Sequence, residues 1–183
     1  MEEKNISYED AVKIGIREGI KYVKEQEYNK TTKRYDRRLR NTRLLLKHYR
    51  TLKAHNRIAD NSTDKINDDN AIDVLDDIEA IDDEEQYVQA LGRTRMRTLI
   101  IVGHINKVLK YYENICNADG SISQRKYKII KTMYIDPVKD DIIPTYEEIS
   151  EIFGVNIRTI GRDVQDVIKD LSILFFGIDG IKL

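Results

Sequence analysis

Four long polar side chains recur at helical spacing in the last third of the chain: Arg158, Arg162, Gln165 and Lys169. On an α-helix these positions fall within about 60° of one another. Arginine can bond both acceptors of a guanine, glutamine can bond adenine, and lysine or arginine can hold a phosphate. The pattern therefore predicts a helix whose polar ridge enters the major groove of double-stranded DNA.

The residues around this ridge predict two helices joined by a short turn, between Thr145 and Leu171. Thr145 and Glu148 have the spacing of a capping box that begins the first helix, and Gly154 is suited to end it. Asn156 can cap the second helix. Opposite the ridge, the second helix carries an apolar stripe that must be buried, formed by Ile160, Val164, Val167 and Leu171.

Position along the second helix assigns a role to each polar residue. The first turns of the second helix in a helix-turn-helix motif approach the bases, so Arg158, Thr159 and Arg162 are the predicted base readers. Lys169 lies further along and is a predicted phosphate contact. The predicted DNA-binding set is Thr145, Tyr146, Asn156, Arg158, Thr159, Arg162, Gln165 and Lys169. The competing interpretation is an amphipathic helix pair with a solvated charged face, but the capping and turn signals agree with the motif.

Hydrophobic periodicity predicts further helices over residues 7–28, 31–59, 84–117 and 123–135. The predicted fold is all-α, with elongated N-terminal helices followed by a C-terminal helix-turn-helix domain. Asp119 and Gly120 form a turn before that domain. The predicted regions are an N-terminal helical region with a basic helix (1–59), an acidic linker (60–83), a long connecting helix (84–120) and the helix-turn-helix domain (121–183).

Charge is unevenly distributed over the N-terminal half. Residues 30–57 hold eleven Lys or Arg and one acid, whereas residues 60–85 hold twelve acids and one lysine. The basic segment is a solvated face, a phosphate-binding surface or a docking surface for an acidic partner. Its candidate contact residues are Arg34, Arg37, Arg38, Arg40, Arg43, Lys47 and Arg50. The acidic segment is predicted to be a solvated linker with a short helix over 71–81, or alternatively to fold back on the basic segment and compete with a polyanion.

Composition excludes several other classes of protein. Of the 183 residues, 34% are charged and 40% hydrophobic, and the single Cys116 excludes an intrachain disulfide and fits a reducing cytoplasm. The sequence begins without a secretion signal, and its longest apolar run, 99–102, is too short to cross a bilayer. It also lacks a phosphate-binding glycine loop, metalloprotease spacing and a serine elbow, so no catalytic residue, metal or cofactor is expected.

The C-terminal region resembles a known family. Arg125–Ile135 (RKYKIIKTMYI), the following TYEEISEIFGVNIRTIGRDV and the tail LSILFFGIDGI are similar to phage-encoded transcriptional regulators of the ArpU and RinA kind. The C-terminal part of those proteins is similar to region four of bacterial sigma factors. The resemblance implies a phage or prophage regulator of late genes in the cytoplasm of a bacterial host, with RNA polymerase as a candidate partner.

One feature departs from that family's expected charge. Residues 121–183 hold nine basic and ten acidic residues, and Asp163, Asp166 and Asp170 lie on the second helix of the motif. Asp166 follows Arg162 by four residues and is predicted to pair with it. This balance favours a weak DNA contact assisted by RNA polymerase or by the basic segment.

Two other functions fit parts of the pattern. A small terminase subunit also uses a helix-turn-helix, although usually near its N-terminus, and a helical interaction protein would use the long helices without reading bases. The oligomeric state stays open, because coiled helices and a palindromic site favour a homodimer whereas docking on polymerase favours a monomer.

Overall fold

The computed structural model describes residues 8–56, 68–93, 95–136 and 142–177, and the part of the chain that it describes is helical without strands. The all-α prediction is confirmed. The helices are α1 (Tyr8–Asn56), α2 (Asp68–Glu79), α3 (Glu84–Gly92), α4 (Arg95–Asp119), α5 (Ser121–Ile130) with a π-helical turn (Lys131–Ile135), α6 (Tyr146–Phe153) and α7 (Ile157–Phe176). None of the described helices is long and apolar enough to span a membrane.

Helix α1 runs without interruption through the region where two helices were predicted, so the predicted break at residues 29–30 is wrong. Neither proline nor glycine occurs between residues 20 and 56. The hydroxyl of Thr31 donates to the carbonyl of Glu27 at 2.9 Å, which satisfies this polar side chain within the helix. Helix α1 thus continues from an exposed first half into a second half that enters the core.

The long helix predicted over residues 84–117 is two helices, α3 and α4. Helix α3 begins at a cap in which the Asp83 carboxylate accepts from the backbone of Gln86 at 2.8 Å, and it ends at Gly92. The hydroxyl of Thr98 in α4 donates to the carbonyl of Leu91 at 3.2 Å. This bond holds the start of α4 against the end of α3.

A single hydrophobic cluster joins the described helices. Its fully buried members include Leu45 from α1, Leu75 from α2, Ile105 from α4, Ile149 from α6 and Leu171 from α7. These residues come from all four predicted regions. The division of the chain into those regions stays a prediction, since a shared core does not establish where folding units begin.

The predicted acidic linker packs against its neighbours over its described part, residues 68–83. Helix α2 buries Ala71, Leu75 and Ile78 against the core, with contacts to α1, α4 and α7. The Glu79 carboxylate accepts from Arg38 at 3.1 and 3.0 Å and from Arg34 at 3.4 Å. These contacts match the alternative in which the acidic segment folds back on the basic helix. Residues 60–67 of the segment lie outside the described residues. Competition of the segment with a polyanion stays a prediction.

Three buried tyrosines should make the fold sensitive to alkali. Burial raises the pKa of Tyr127 to about 12 and raises the pKa values of Tyr87 and Tyr112 further. The unfolded chain ionises first, near the ordinary tyrosine pKa of about 10. The free energy of unfolding is therefore expected to be unaffected by these groups below pH ~10 and to fall as the pH rises above it. Urea denaturation from pH 8 to pH 12 measures this fall.

Tyr87→Phe provides the matched variant, because the Tyr87 hydroxyl is buried without a hydrogen-bond partner among the described residues. At pH 7 the substitution should change the free energy of unfolding by less than about 1 kcal/mol. Above pH ~10 its stability should fall less steeply than that of the unsubstituted chain. If the free energy of unfolding fell equally steeply with pH in the two proteins, Tyr87 would not contribute to the loss of stability in alkali.

Candidate nucleic-acid interface

The start and end of α6 have the predicted local geometry. The Thr145 hydroxyl accepts from the backbone of Glu148 at 3.3 Å, and the Glu148 carboxylate accepts from the backbone of Thr145 at 2.9 Å, which confirms the capping box. Gly154 ends the helix at φ 62°, in the left-handed region that favours glycine. Both ends of this eight-residue helix are therefore fixed by the residues that the pattern singled out.

The turn between α6 and α7 is held by side chains on both sides. The Ser150 hydroxyl donates to the carbonyl of Val155 at 2.7 Å, and the backbone of Val155 donates to the carbonyl of Ser150 at 3.2 Å. The Asn156 side chain then caps α7 by accepting from the backbone of Arg158 at 2.9 Å, as predicted. Because these bonds restrain the turn, the first residues of α7 have a defined position relative to α6.

Helices α6 and α7 also approach each other closely. A Cβ atom at Gly161 would lie 3.7 Å from Cε2 of Tyr146, so the tyrosine ring covers the place where a larger side chain would project. Ile149 and Ile160 are fully buried between the helices and the core. The predicted apolar stripe of α7 is buried throughout: Ile160, Val164, Val167 and Leu171.

The polar ridge of α7, formed by Arg158, Arg162, Gln165 and Lys169, is exposed along its whole length. Within the described residues, no hydrogen bond or ion pair involves any of its four side chains. Thr145, Tyr146 and Asn156 are exposed, and Thr159 is half-buried. The Tyr146 ring lies beside Gly161 of α7, and Asn156 caps the start of that helix, so these two residues lie next to the helix that carries the ridge.

Each of the three aspartates of α7 binds a residue of another helix. Asp163 is 4% exposed and accepts from the Arg125 guanidinium at 3.1 and 3.0 Å. Asp166 accepts from the ammonium of Lys126 at 2.8 Å, and this bond raises the pKa of Lys126. The predicted pairing of Asp166 with Arg162 is wrong, because the carboxylate is directed toward α5.

The third aspartate is engaged by a residue of α4. Asp170 accepts from the hydroxyl of Tyr112 at 2.8 Å, and burial together with this bond raises the pKa of the tyrosine. Its partner lies 58 positions away in the sequence, and those of Asp163 and Asp166 lie 38 and 40 positions away. Spacing along α7 alone could not reveal these pairs.

Four of the seven candidate contact residues in the basic segment bind partners inside the protein. Arg38 is fully buried, where it binds Glu79, donates to the carbonyl of Phe176 at 3.3 Å and lies 5.4 Å from the centre of that residue's ring. Its predicted role as a surface contact for phosphate is therefore wrong. Arg34 also binds Glu79.

Two more of these cations bind backbone carbonyls. Arg40 donates to Ile81 and Asp82, and Arg50 donates to Met133 and Tyr134 in the π-helical turn at 2.8 and 3.1 Å. Arg37 is half-buried, and its Nε has no hydrogen-bond partner among the described residues. Of the seven predicted contact residues, Arg43 and Lys47 have exposed side chains. Lys30, Lys33 and Lys53 of the same segment are exposed as well, so the described part of the basic segment presents five cations on its surface.

No protein-family model, curated protein or solved structure matches the chain. Among the described residues, no group of three His, Cys, Asp or Glu side chains is arranged to hold a metal ion. Cys116 is free and buried. Residues 178–181 of the tail that contributes to the family resemblance lie outside the described residues.

Proposed function

We propose that this protein binds double-stranded DNA as a transcription regulator, with α7 as the recognition helix of a helix-turn-helix motif. The observation that carries the proposal is the exposed ridge of Arg158, Arg162, Gln165 and Lys169, whose side chains have no partner among the described residues. Side chains of these types can bond base edges and phosphates. The ridge lies on a helix that capping and burial hold in place, as direct base reading requires.

The arrangement of acidic side chains supports this proposal. An aspartate on a recognition helix would repel phosphates if it faced the duplex. Asp163, Asp166 and Asp170 instead bind Arg125, Lys126 and Tyr112 of neighbouring helices. The excess of acids in residues 121–183 therefore does not describe the charge of the proposed DNA-facing surface, which carries three cations.

The ridge is small, and we propose that a second protein contributes to binding at the target site. Proteins that bind DNA tightly on their own commonly neutralise many phosphates, and three cations provide few such contacts. Arg38, Arg40 and Arg50 of the basic segment are engaged internally and are not available to add to these contacts. The resemblance to phage late-gene regulators with a sigma-like C-terminal region makes RNA polymerase our proposed partner.

Footprinting can test both parts of the proposal. DNA that co-purifies with the full-length protein from a bacterial host would be sequenced, and an enriched fragment would be footprinted with protein alone, RNA polymerase alone, and both together. We expect weak protection by the protein alone and extended protection with polymerase. Protection by the protein alone that polymerase does not change would contradict the proposed partner. Absence of protection in every reaction that contains the protein would contradict DNA recognition.

A further inference from the structure

Two cations in the second half of α1, Arg43 and Lys47, are exposed to solvent. Within the described residues, neither side chain forms a hydrogen bond or an ion pair. They lie four positions apart, so they occupy the same side of the helix. No acid occurs between residues 37 and 59, and this stretch of α1 is therefore positively charged.

Helix α1 packs against α7, and bonds at both ends of the contact fix its position. Arg38 donates to the carbonyl of Phe176, at the end of α7, at 3.3 Å. Farther along α1, Arg50 donates to the carbonyls of Met133 and Tyr134 in the π-helical turn at 2.8 and 3.1 Å. The stretch of α1 that carries the two exposed cations is therefore held between the end of α7 and the π-helical turn.

The π-helical turn connects this stretch of α1 to the start of α6. Arg43 lies two helical turns before Arg50, on the same side of α1. Burial and the nearby Tyr146 raise the pKa of Tyr134, whereas Arg43 lowers it, so both side chains are close enough to act on this phenol. The ring of Tyr146 in turn lies against Gly161 of α7, where an added Cβ would be 3.7 Å from Cε2 of the ring. The exposed cations of α1, the start of α6 and α7 are therefore neighbours.

Two acids border the cations of α1 on the other side, toward α3. Asp36 and Glu84 line a groove together with Arg43, and neither forms an ion pair with it within the described residues. These carboxylates would repel a phosphate that approached Arg43 through this groove. They therefore favour approach from the side of the π-helical turn and α6.

We propose that Arg43 and Lys47 bind the phosphate backbone of the same DNA duplex whose bases α7 reads. This inference rests on the proposed function and extends its contact surface from α7 to α1. The phosphates of both strands border the major groove, so an element beside a recognition helix meets the backbone rather than the bases. Arginine and lysine commonly make such contacts. The number of available cations rises from three on α7 to five with the two on α1.

The two groups of cations should then differ in their effect on specificity. Phosphate contacts carry no sequence information directly, whereas contacts to base edges do. Arg43 and Lys47 should therefore strengthen binding to the target fragment and to unrelated DNA by similar factors. Arg158 and Arg162 should instead strengthen binding to the target fragment more than binding to unrelated DNA.

The salt dependence of binding tests this contact. The test pair is Arg43→Ala with Lys47→Ala. The control pair is Lys30→Ala with Lys33→Ala, which removes two exposed cations of the same helix that lie about 15 Å or more before Arg43. Fluorescence anisotropy would measure Kd of the full-length chain for the enriched fragment and for an unrelated duplex of equal length, from about 50 to about 300 mM salt.

We expect the test pair to reduce the slope of log Kd against log salt concentration by about 2 on both duplexes, because each phosphate contact adds about 0.9. Near 100 mM salt, the test pair should weaken binding to both at least about tenfold. The control pair should leave the slope within about 0.5. Circular dichroism should be unchanged in every variant, since all four side chains are exposed.

Exchanging the two cations separates phosphate binding from base reading. Arg43→Lys with Lys47→Arg keeps both charges but changes the geometry of the donors. Kd for both duplexes should stay within about threefold, because a phosphate contact depends mainly on charge. A large loss of affinity for the enriched fragment alone would show that these residues read bases, and it would overturn the inference.

Three further results would overturn the inference. An unchanged slope for the test pair, in a chain that still binds the enriched fragment, would overturn it while leaving the proposed function in place. Equal changes in the test and control pairs would have the same meaning. Loss of the protection that RNA polymerase extends, with unchanged DNA binding by the protein alone, would assign the two cations to polymerase. If the unsubstituted chain bound neither duplex, the proposed function and this inference would fail together.

Discussion

Replacing Arg158 and Arg162 together with alanine is expected to abolish sequence-specific DNA binding while leaving the fold intact. Both side chains are exposed and make no ion pair with the described residues, so their removal costs no internal contact. Under the proposed function, each arginine contributes about 1–3 kcal/mol to discrimination between base pairs. The double substitution should therefore lower affinity for the target fragment at least about a hundredfold.

Fluorescence anisotropy with a labelled target fragment and an unrelated fragment measures this loss. The matched control is Lys110→Ala with Lys128→Ala, which removes two exposed cations outside α7 and should change affinity less than about threefold. If both double variants lost the same amount of affinity, the loss would come from removing positive charge anywhere on the protein surface. That result would remove the proposed role of the arginines in reading bases.

Replacing Arg38 with methionine is expected to destabilise the fold strongly. The guanidinium is fully buried and joins three helices, since it binds Glu79 in α2 and the carbonyl of Phe176 at the end of α7. Its removal leaves the Glu79 carboxylate, which is 7% exposed, without its main counter-charge. Breaking a buried ion pair in this way costs about 3–5 kcal/mol.

Urea denaturation followed by circular dichroism measures this cost. Arg43→Met is the matched control on the same helix, and it should change the free energy of unfolding by less than about 0.5 kcal/mol because Arg43 is exposed. The double variant Arg38→Met with Glu79→Met should recover much of the loss, since both buried charges are then gone. A loss below about 1 kcal/mol for Arg38→Met would contradict the assignment of this pair as a structural link.

Signals confined to a few neighbouring residues predicted the structure well. Thr145, Glu148, Gly154 and Asn156 act at the ends of α6 and α7 as the sequence indicates, because capping bonds join residues two or three positions apart. The apolar stripe of α7 was predictable for the same reason, since its period follows from helix geometry.

Features that depend on distant partners were not predictable. The fold-back of α2 depends on Glu79 meeting Arg38, 41 positions earlier in the chain. The inward direction of Asp163 depends on Arg125, which reaches it from a separate helix. The predicted positions of helix ends were also wrong where the signal was weak. Thr31 bonds within α1 instead of beginning a second helix, and the helix predicted over 84–117 is divided after Gly92.

The distribution of charge on α7 has a consequence for molecular encounter. Arg158, Arg162 and Lys169 are exposed and make no ion pair within the described residues, whereas Asp163 and Asp166 are paired with Arg125 and Lys126. The exposed side of this helix therefore carries a positive potential, which attracts a polyanion and turns this side toward it before contact. Added salt weakens this orientation, so it would act on the rate of association more than on the lifetime of a complex.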